Sequence, residues 1–248
     1  MLAAAAFRLA VIEALCPTAA VNSGEGFPTM ALYRVYDSRA ISSADLDAGA
    51  TFTPSLSVYT EDTRVERRGD AQAPAAGFAL TDLVIIAELS ELARDENGAV
   101  ITEPGGGPVT DAVINGDAKM QIMLAALTAQ VRAVIVQKPA GAPVRKIMKS
   151  VRDVRIEPFG LPQYGVRFLR NVMTFTVEIG DDRFTDAAGL PEPIRSVAEE
   201  LPEGSYAKGR LAELAQAFAA TTRAQIEGFT VRFDADGKPA MPFGEQET

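Results

Sequence analysis

The side chains with the greatest chemical reach in this 248-residue chain are its adjacent carboxylates, Glu61/Asp62, Asp181/Asp182 and Glu199/Glu200. Two carboxylates in unlike environments can divide acid and base work between them. Each pair here lies in a polar run, which gives no reason for a raised pKa, so all three are read as solvated surface. Asp234-Ala235-Asp236-Gly237-Lys238 opens with the carboxylates of a calcium loop, but the remaining ligands of such a loop do not follow, and it reads as a turn. Glu103-Pro104-Gly105-Gly106-Gly107-Pro108 lacks the Lys-Ser/Thr of a phosphate loop. Its two prolines also remove amides that would cradle a phosphate. Arg68-Gly69-Asp70 is a common tripeptide in a charged stretch and carries no weight.

Arg145, Lys146, Lys149, Arg152, Arg155, Arg167 and Arg170 form a basic run inside a chain whose net charge is −9. One reading is a solvent-facing strand face with scattered neutralising acids. The other is a patch that meets an acidic neighbouring subunit or the phosphates of passing DNA. A basic stripe in an acidic chain suits head-to-tail packing, because heterologous contacts close into rings.

Composition removes most catalytic chemistry. The chain has no His, which takes away His general acid–base work, His-activated nucleophiles and the commonest transition-metal ligand. Its single cysteine, Cys16, excludes an intrachain disulfide and a Cys-cluster metal site. With no basic neighbour to lower its pKa, Cys16 reads as a small buried hydrophobe rather than a reactive thiol. The acidic balance argues against general nucleic-acid binding and against attraction to anionic membranes. No metal, cofactor or catalytic residue is expected.

The positioning elements follow from hydrophobic periodicity. Leu2, Ala5, Leu9 and Ile12 mark a soluble amphipathic helix over 2–15 stopped by Pro17; Arg8 and Glu13 interrupt the run that would otherwise resemble a signal peptide. Residues 18–29 read as loop, 53–60 as a short strand, 61–70 as a charged loop and 71–77 as a flexible loop. Leu83, Ile85, Ala87 and Leu89 on one face, with Val84 and Ile86 on the other, predict a central strand over 77–93. Residues 94–116 read as an insertion. Met120, Met123, Leu124, Leu127, Val131, Val134 and Ile135 predict the strongest helix, over 117–137, capped by Asn115 or Asp117. Residues 139–143 read as a linker. Strands over 151–157 and 166–179 make a hairpin; a helix over 207–220 and a strand over 226–233 follow. No segment approaches the ~18–20 uninterrupted apolar residues of a membrane span.

The predicted fold class is therefore α+β: a central, largely antiparallel sheet with an N-terminal helix and a long helix packed on it. The core spans 1–180, and 181–248 is a C-terminal extension.

In residues 2–137 the pattern resembles the tail terminator (tail completion) proteins of long-tailed bacteriophages, and the tail proteins of gene transfer agents look similar. The landmarks are the N-terminal helix, Val35-Tyr36-Asp37-Ser38-Arg39, Pro54-Ser55-Leu56-Ser57-Val58-Tyr59-Thr60, the charged loop 61–70, the strand over 78–93 and the helix over 117–137. The resemblance covers a little over half the chain and has no counterpart beyond about residue 180. It implies a non-enzymatic hexameric ring that caps the tail tube, ends its polymerisation and joins it to the neck proteins of the head while DNA passes through. It implies as partners the chain itself, the major tail tube protein and neck proteins, with no membrane, at the tail–neck junction of a virion assembled in the host cytoplasm. Candidate interface residues are Glu61, Asp62, Arg64, Glu66, Arg67 and Arg68 by position in that resemblance, and Arg152, Arg155, Arg167 and Arg170 from the basic run. The rival readings are a head–tail stopper, adaptor or other minor tail protein and, more distantly, a small-molecule-binding or hydrolase α/β domain.

Overall fold

A run of Ala and large aliphatic residues at the start of the chain builds the helix around which the rest packs. In the computed structural model, which describes residues 1–47, 49–67, 77–92, 95–96, 99–101, 110–111, 118–161, 166–184 and 190–220, α1 spans Leu2–Leu15. Eleven of its fourteen residues are buried, Phe7, Val11 and Leu15 completely. This corrects the amphipathic expectation: small Ala side chains let neighbours approach on nearly every side, so the helix is a hub rather than a one-faced lid. Its two charged side chains are both answered. Arg8 pairs with Asp37 at 2.7 Å, and Glu13 accepts from the Thr18 amide and hydroxyl, each at 2.8 Å. That second contact starts α2 (Thr18–Ser23), a short helix where the sequence suggested loop, closed by Gly24 in the left-handed conformation at φ 76°.

The sheet is formed by β1 (Val35–Asp37), β2 (Thr53–Arg67), β3 (Gly77–Leu92), β5 (Met148–Leu161) and β6 (Val166–Gly180) in the order β1-β2-β3-β6-β5. The two-residue β4 (Thr110–Asp111) pairs with the end of β3. Only β1 against β2 is parallel; the other pairings are antiparallel. The fold class is thus the α+β arrangement read from the sequence, with β3 at the centre.

Register shows which side chains share a face. Leu56, Ala87 and Asn171 stand in one row, and Val58, Ile85, Met173 and Ile156 in the next. This face carries the core and is covered by α1, by α3 (Ala118–Val136) and by α4 (Ala142–Ile147). On α3, Leu124, Leu127, Val131, Val134 and Ile135 are buried as predicted, with Met120 and Met123 partly so. A polar stitch ties α3 to the sheet: Asn171 Nδ2 donates to Thr128 Oγ1 at 3.1 Å, and that hydroxyl donates to the Leu124 carbonyl at 2.8 Å.

The expected linker at 139–143 is a short 3-10 turn, Pro139–Gly141, leading into α4. Beyond β6, α5 (Ile194–Glu200) was not foreseen, whereas α6 (Tyr206–Ala220) was. Leu190, Ile194, Val197, Leu201, Ala207 and Leu211 join the same core cluster as α1, so the described part of the C-terminal extension shares that core. The strand expected over 226–233, the calcium-like turn at 234–238, the glycine-rich run at 103–108 and the caps Asn115 and Asp117 lie outside the described residues.

By length and mean composition two stretches, Leu2–Ser23 and Ala118–Val136, are apolar enough to cross a membrane, although charged residues interrupt both. In the fold most of the first is buried within the protein, and the buried stripe of the second lies on the sheet.

Candidate functional site

The sheet has a second face, and no described helix packs on it. Its rows follow from the same register: Tyr59, Val84, Thr174 and Arg155 in one, Glu61, Asp82, Thr176 and Asp153 in the next. Asp153, Arg155 and Glu157 are exposed, and Tyr59, Asp82, Thr174 and Thr176 are half-buried. Asp82 accepts the Thr176 hydroxyl at 2.6 Å. Leu80, Val84, Ile86 and Val172 share this face on the inner strands, Leu80 and Val84 buried, so its middle is largely apolar and its exposed charges of mixed sign sit on the outer strands β2 and β5.

The charged loop expected at 61–70 is corrected. Glu61, Asp62, Arg64, Glu66 and Arg67 all belong to β2, which runs seven residues past the predicted end, while Arg68 lies outside the described residues. Backbone pairing to β3 explains this: Glu61 opposes Asp82, and Arg64 to Arg67 oppose Leu80 to Gly77. A bulge between Glu61 and Arg64 absorbs the irregularity, with Asp62 at positive φ (34°) and the Thr63 and Thr81 hydroxyls 2.8 Å apart beside it. Arg64 and Glu66 pair with each other at 2.9 Å along the strand. Glu61, Asp62 and Arg64 are exposed.

The basic run is spread out rather than gathered. Arg152 and Arg170 are about seven residues apart along the β5–β6 ribbon, roughly 24 Å at ~3.4 Å per residue. Most of its members already have partners. Arg152 pairs with Glu178, whose side chain is only 4 % exposed; Arg170 Nε donates to Glu88 at 2.7 Å and its guanidinium lies 5.2 Å from the Phe159 ring. Lys146 pairs with Glu200, and Arg145 donates to the Ile135 carbonyl at 3.3 Å. Arg167 is in β6, with its side chain outside the described set. Arg155 and Lys149 are exposed cations with no ion-pair partner among the described residues. Four of the seven basic side chains thus have partners within the chain, and Arg155 and Lys149 are left over.

The paired carboxylates also divide. Asp182 is not solvated surface: its carboxylate accepts the Leu2 amide at 2.9 Å and the Ala3 amide at 2.6 Å, closing the N-terminus of α1 from across the molecule. Asp181 accepts the Asp182 amide at 2.7 Å. Nothing local in the sequence announced this, because the partners are 180 positions apart.

Sequence reasoning missed a cleft of about 720 Å³ between the C-terminal end of α1, α2, β1 and the start of α6. Ile12, Cys16, Val21 and Val35 give it an apolar floor. At the rim the Arg39 guanidinium lies 3.9 Å from the centre of the Tyr36 ring, and that of Arg210 lies 5.2 Å from the Tyr206 ring. Tyr206 donates to Asp37 at 3.0 Å. Arg39 forms a two-pronged bridge to Asp45 at 2.7 and 2.8 Å, which holds the Asp45 carboxyl well below the usual range. Burial, with Glu13 beside it, pushes the Cys16 thiol up to about 11, so the half-buried cysteine is not an activated nucleophile. Among the described residues no group of three or more Cys, Asp or Glu is arranged to hold a metal ion.

Set against known proteins, the chain matches no protein-family model and no curated protein.

Proposed function

We propose that this chain is a virion structural protein, a tail terminator of a long-tailed phage or gene transfer agent that caps the tail tube as a ring. The observation that carries the reading is the sheet with one helix-covered face and one face free of described helices. The second face has a largely apolar middle, with Leu80, Val84, Ile86 and Val172, and exposed charges of both signs on its outer strands at Glu61, Asp153, Arg155 and Glu157. Such a surface suits contact between copies, where complementary charges fix register more than they add affinity. The order of α1, β1, β2, β3 and α3 along the chain matches the helix and strand landmarks of the sequence resemblance, while its charged loop at 61–70 is strand through Arg67. In this reading the protein acts by geometry: subunits close a ring, the ring stops tube growth, and its other side receives the neck proteins.

Light scattering on the purified protein, alone and with tail tube protein, tests the reading. A ring of about six chains, or ring formation when tube protein is added, supports it. A chain that stays monomeric under both conditions counts against it. Arg155→Glu should weaken ring formation in a salt-sensitive way, because Arg155 has no ion-pair partner among the described residues to lose.

A further inference from the structure

Strand β1 is three residues long, and among the described residues it pairs with β2 alone. The Leu56 amide donates to the Arg34 carbonyl and the Ser38 amide donates to the Val58 carbonyl, both at 2.9 Å. In a parallel ladder with this register, the Tyr36 amide and carbonyl also turn toward β2. The Val35 carbonyl and the Asp37 amide and carbonyl therefore turn the other way. No hydrogen bond among the described residues engages them. That outer edge is a wall of the cleft described above.

We propose that the cleft is a docking site for an extended peptide segment of a partner protein, which adds a strand to the outer edge of β1. The unused backbone groups supply main-chain recognition, as in other cases of strand addition to an open edge. The floor of Ile12, Cys16 and Val21 takes one apolar side chain. The flanks of that segment are neutral or acidic rather than basic. All four charged groups of the cleft have partners, Glu13 with Thr18, Asp37 with Arg8 and Tyr206, Arg39 with Asp45 and Arg210 with Glu213, but Glu13 and Asp37 are shielded while about half of the Arg39 and Arg210 side chains stays exposed at the rim. The edges at either side of the main sheet are poorer candidates. β5 is broken by three register shifts and carries Pro158, and the free part of β2 is bulged, features that blunt an edge. This inference stands apart from the ring proposal, because it uses neither the open sheet face nor self-association.

The test uses the full chain against a displayed library of random twelve-residue peptides. The enriched peptides should converge on an apolar residue flanked by acidic ones. At saturation the best of them should slow hydrogen exchange at the Asp37 amide at least tenfold while leaving the Tyr36 amide unchanged, and should slow Cys16 alkylation at least tenfold. Tyr206→Ala, at a side chain 48 % exposed, should cost tenfold or more in peptide affinity with exchange in β3 unaltered. No enrichment, enrichment of basic peptides, or binders that leave both Asp37 and Cys16 unprotected would overturn the proposal. Protection of Cys16 by free tryptophan amide but by no peptide would overturn it too, in favour of a small aromatic ligand.

Discussion

Removing the Asp182 carboxylate should loosen α1, and the size of the effect can be worked out from the contacts it makes. Its two oxygens accept the Leu2 and Ala3 amides at 2.9 and 2.6 Å, and α1 has no side-chain cap of its own. The first amides of a helix have no partner within it, so this carboxylate does the work of an N-cap. Replacing a capping residue by Ala costs ~0.5–2 kcal/mol, and a negative charge at the positive end of a helix contributes ~0.3–1 kcal/mol. The two overlap, which gives about 2 kcal/mol for Asp182→Ala. At ~2–4 °C per kcal/mol for a protein of this size, the melting temperature falls by about 4–8 °C. Asp182→Asn keeps an oxygen acceptor and loses the charge, so about half of that is expected. Urea unfolding with matched thermal melts measures the loss, and hydrogen exchange locates it. The first turn of α1 should exchange faster, while β3, held between β2 and β6, should not. A loss below ~0.5 kcal/mol for the Ala variant would refute the reasoning.

Three further outcomes follow from the same geometry. An ideal Cβ at Gly141 would sit 2.1 Å from the Val134 carbonyl oxygen and 2.8 Å from Arg145 Nη1, so Gly141→Ala should lower stability by ~1–3 kcal/mol in a denaturant titration. The backbone there has ordinary angles, φ −83° and ψ 6°, so the cost comes from close approach alone. Arg152→Glu should destabilise the chain by about 1–3 kcal/mol, because it sets a second carboxylate beside the buried Glu178 while half of the Arg152 side chain is solvated, whereas Arg155→Glu should stay within about 0.5 kcal/mol; equal melts would refute the distinction. Alkylation of folded Cys16 should rise with pH up to about 11, with a thiolate fraction at pH 8 roughly a hundredfold below that of a thiol at the usual 9.0, so rapid labelling near neutral pH would contradict the burial argument.

What could be read from the sequence was local and periodic. The apolar residues of α1 and α3, the two-faced run at Leu83 to Ile86 and the alternation in β6 each declare an element within a few residues of themselves. The extension of β2 through Arg67 was not legible, because a run of Glu, Asp and Arg has weak strand preference and is held by pairing to β3. The short helices α2, α4 and α5 escaped for a similar reason: each is six or seven residues, too short to show a period. The basic run was visible, but its neutralisation was not, since Arg170 meets Glu88 and Arg152 meets Glu178 only once β3, β5 and β6 lie side by side. The cleft joins α1, α2, β1 and α6, so no sequence window contains it. One signal pointed there: Tyr36 and Arg39 at short spacing lie in the same stretch that carries the resemblance.

The central claim is that this chain ends tail growth and joins tail to head. Electron microscopy of particles assembled without it, measuring tail length and head attachment, tests that claim most directly. The account predicts overlong or headless tails, restored to normal length when the protein is supplied. Tails of normal length, capped beside full heads that leak DNA, would contradict it and assign the chain to the neck instead.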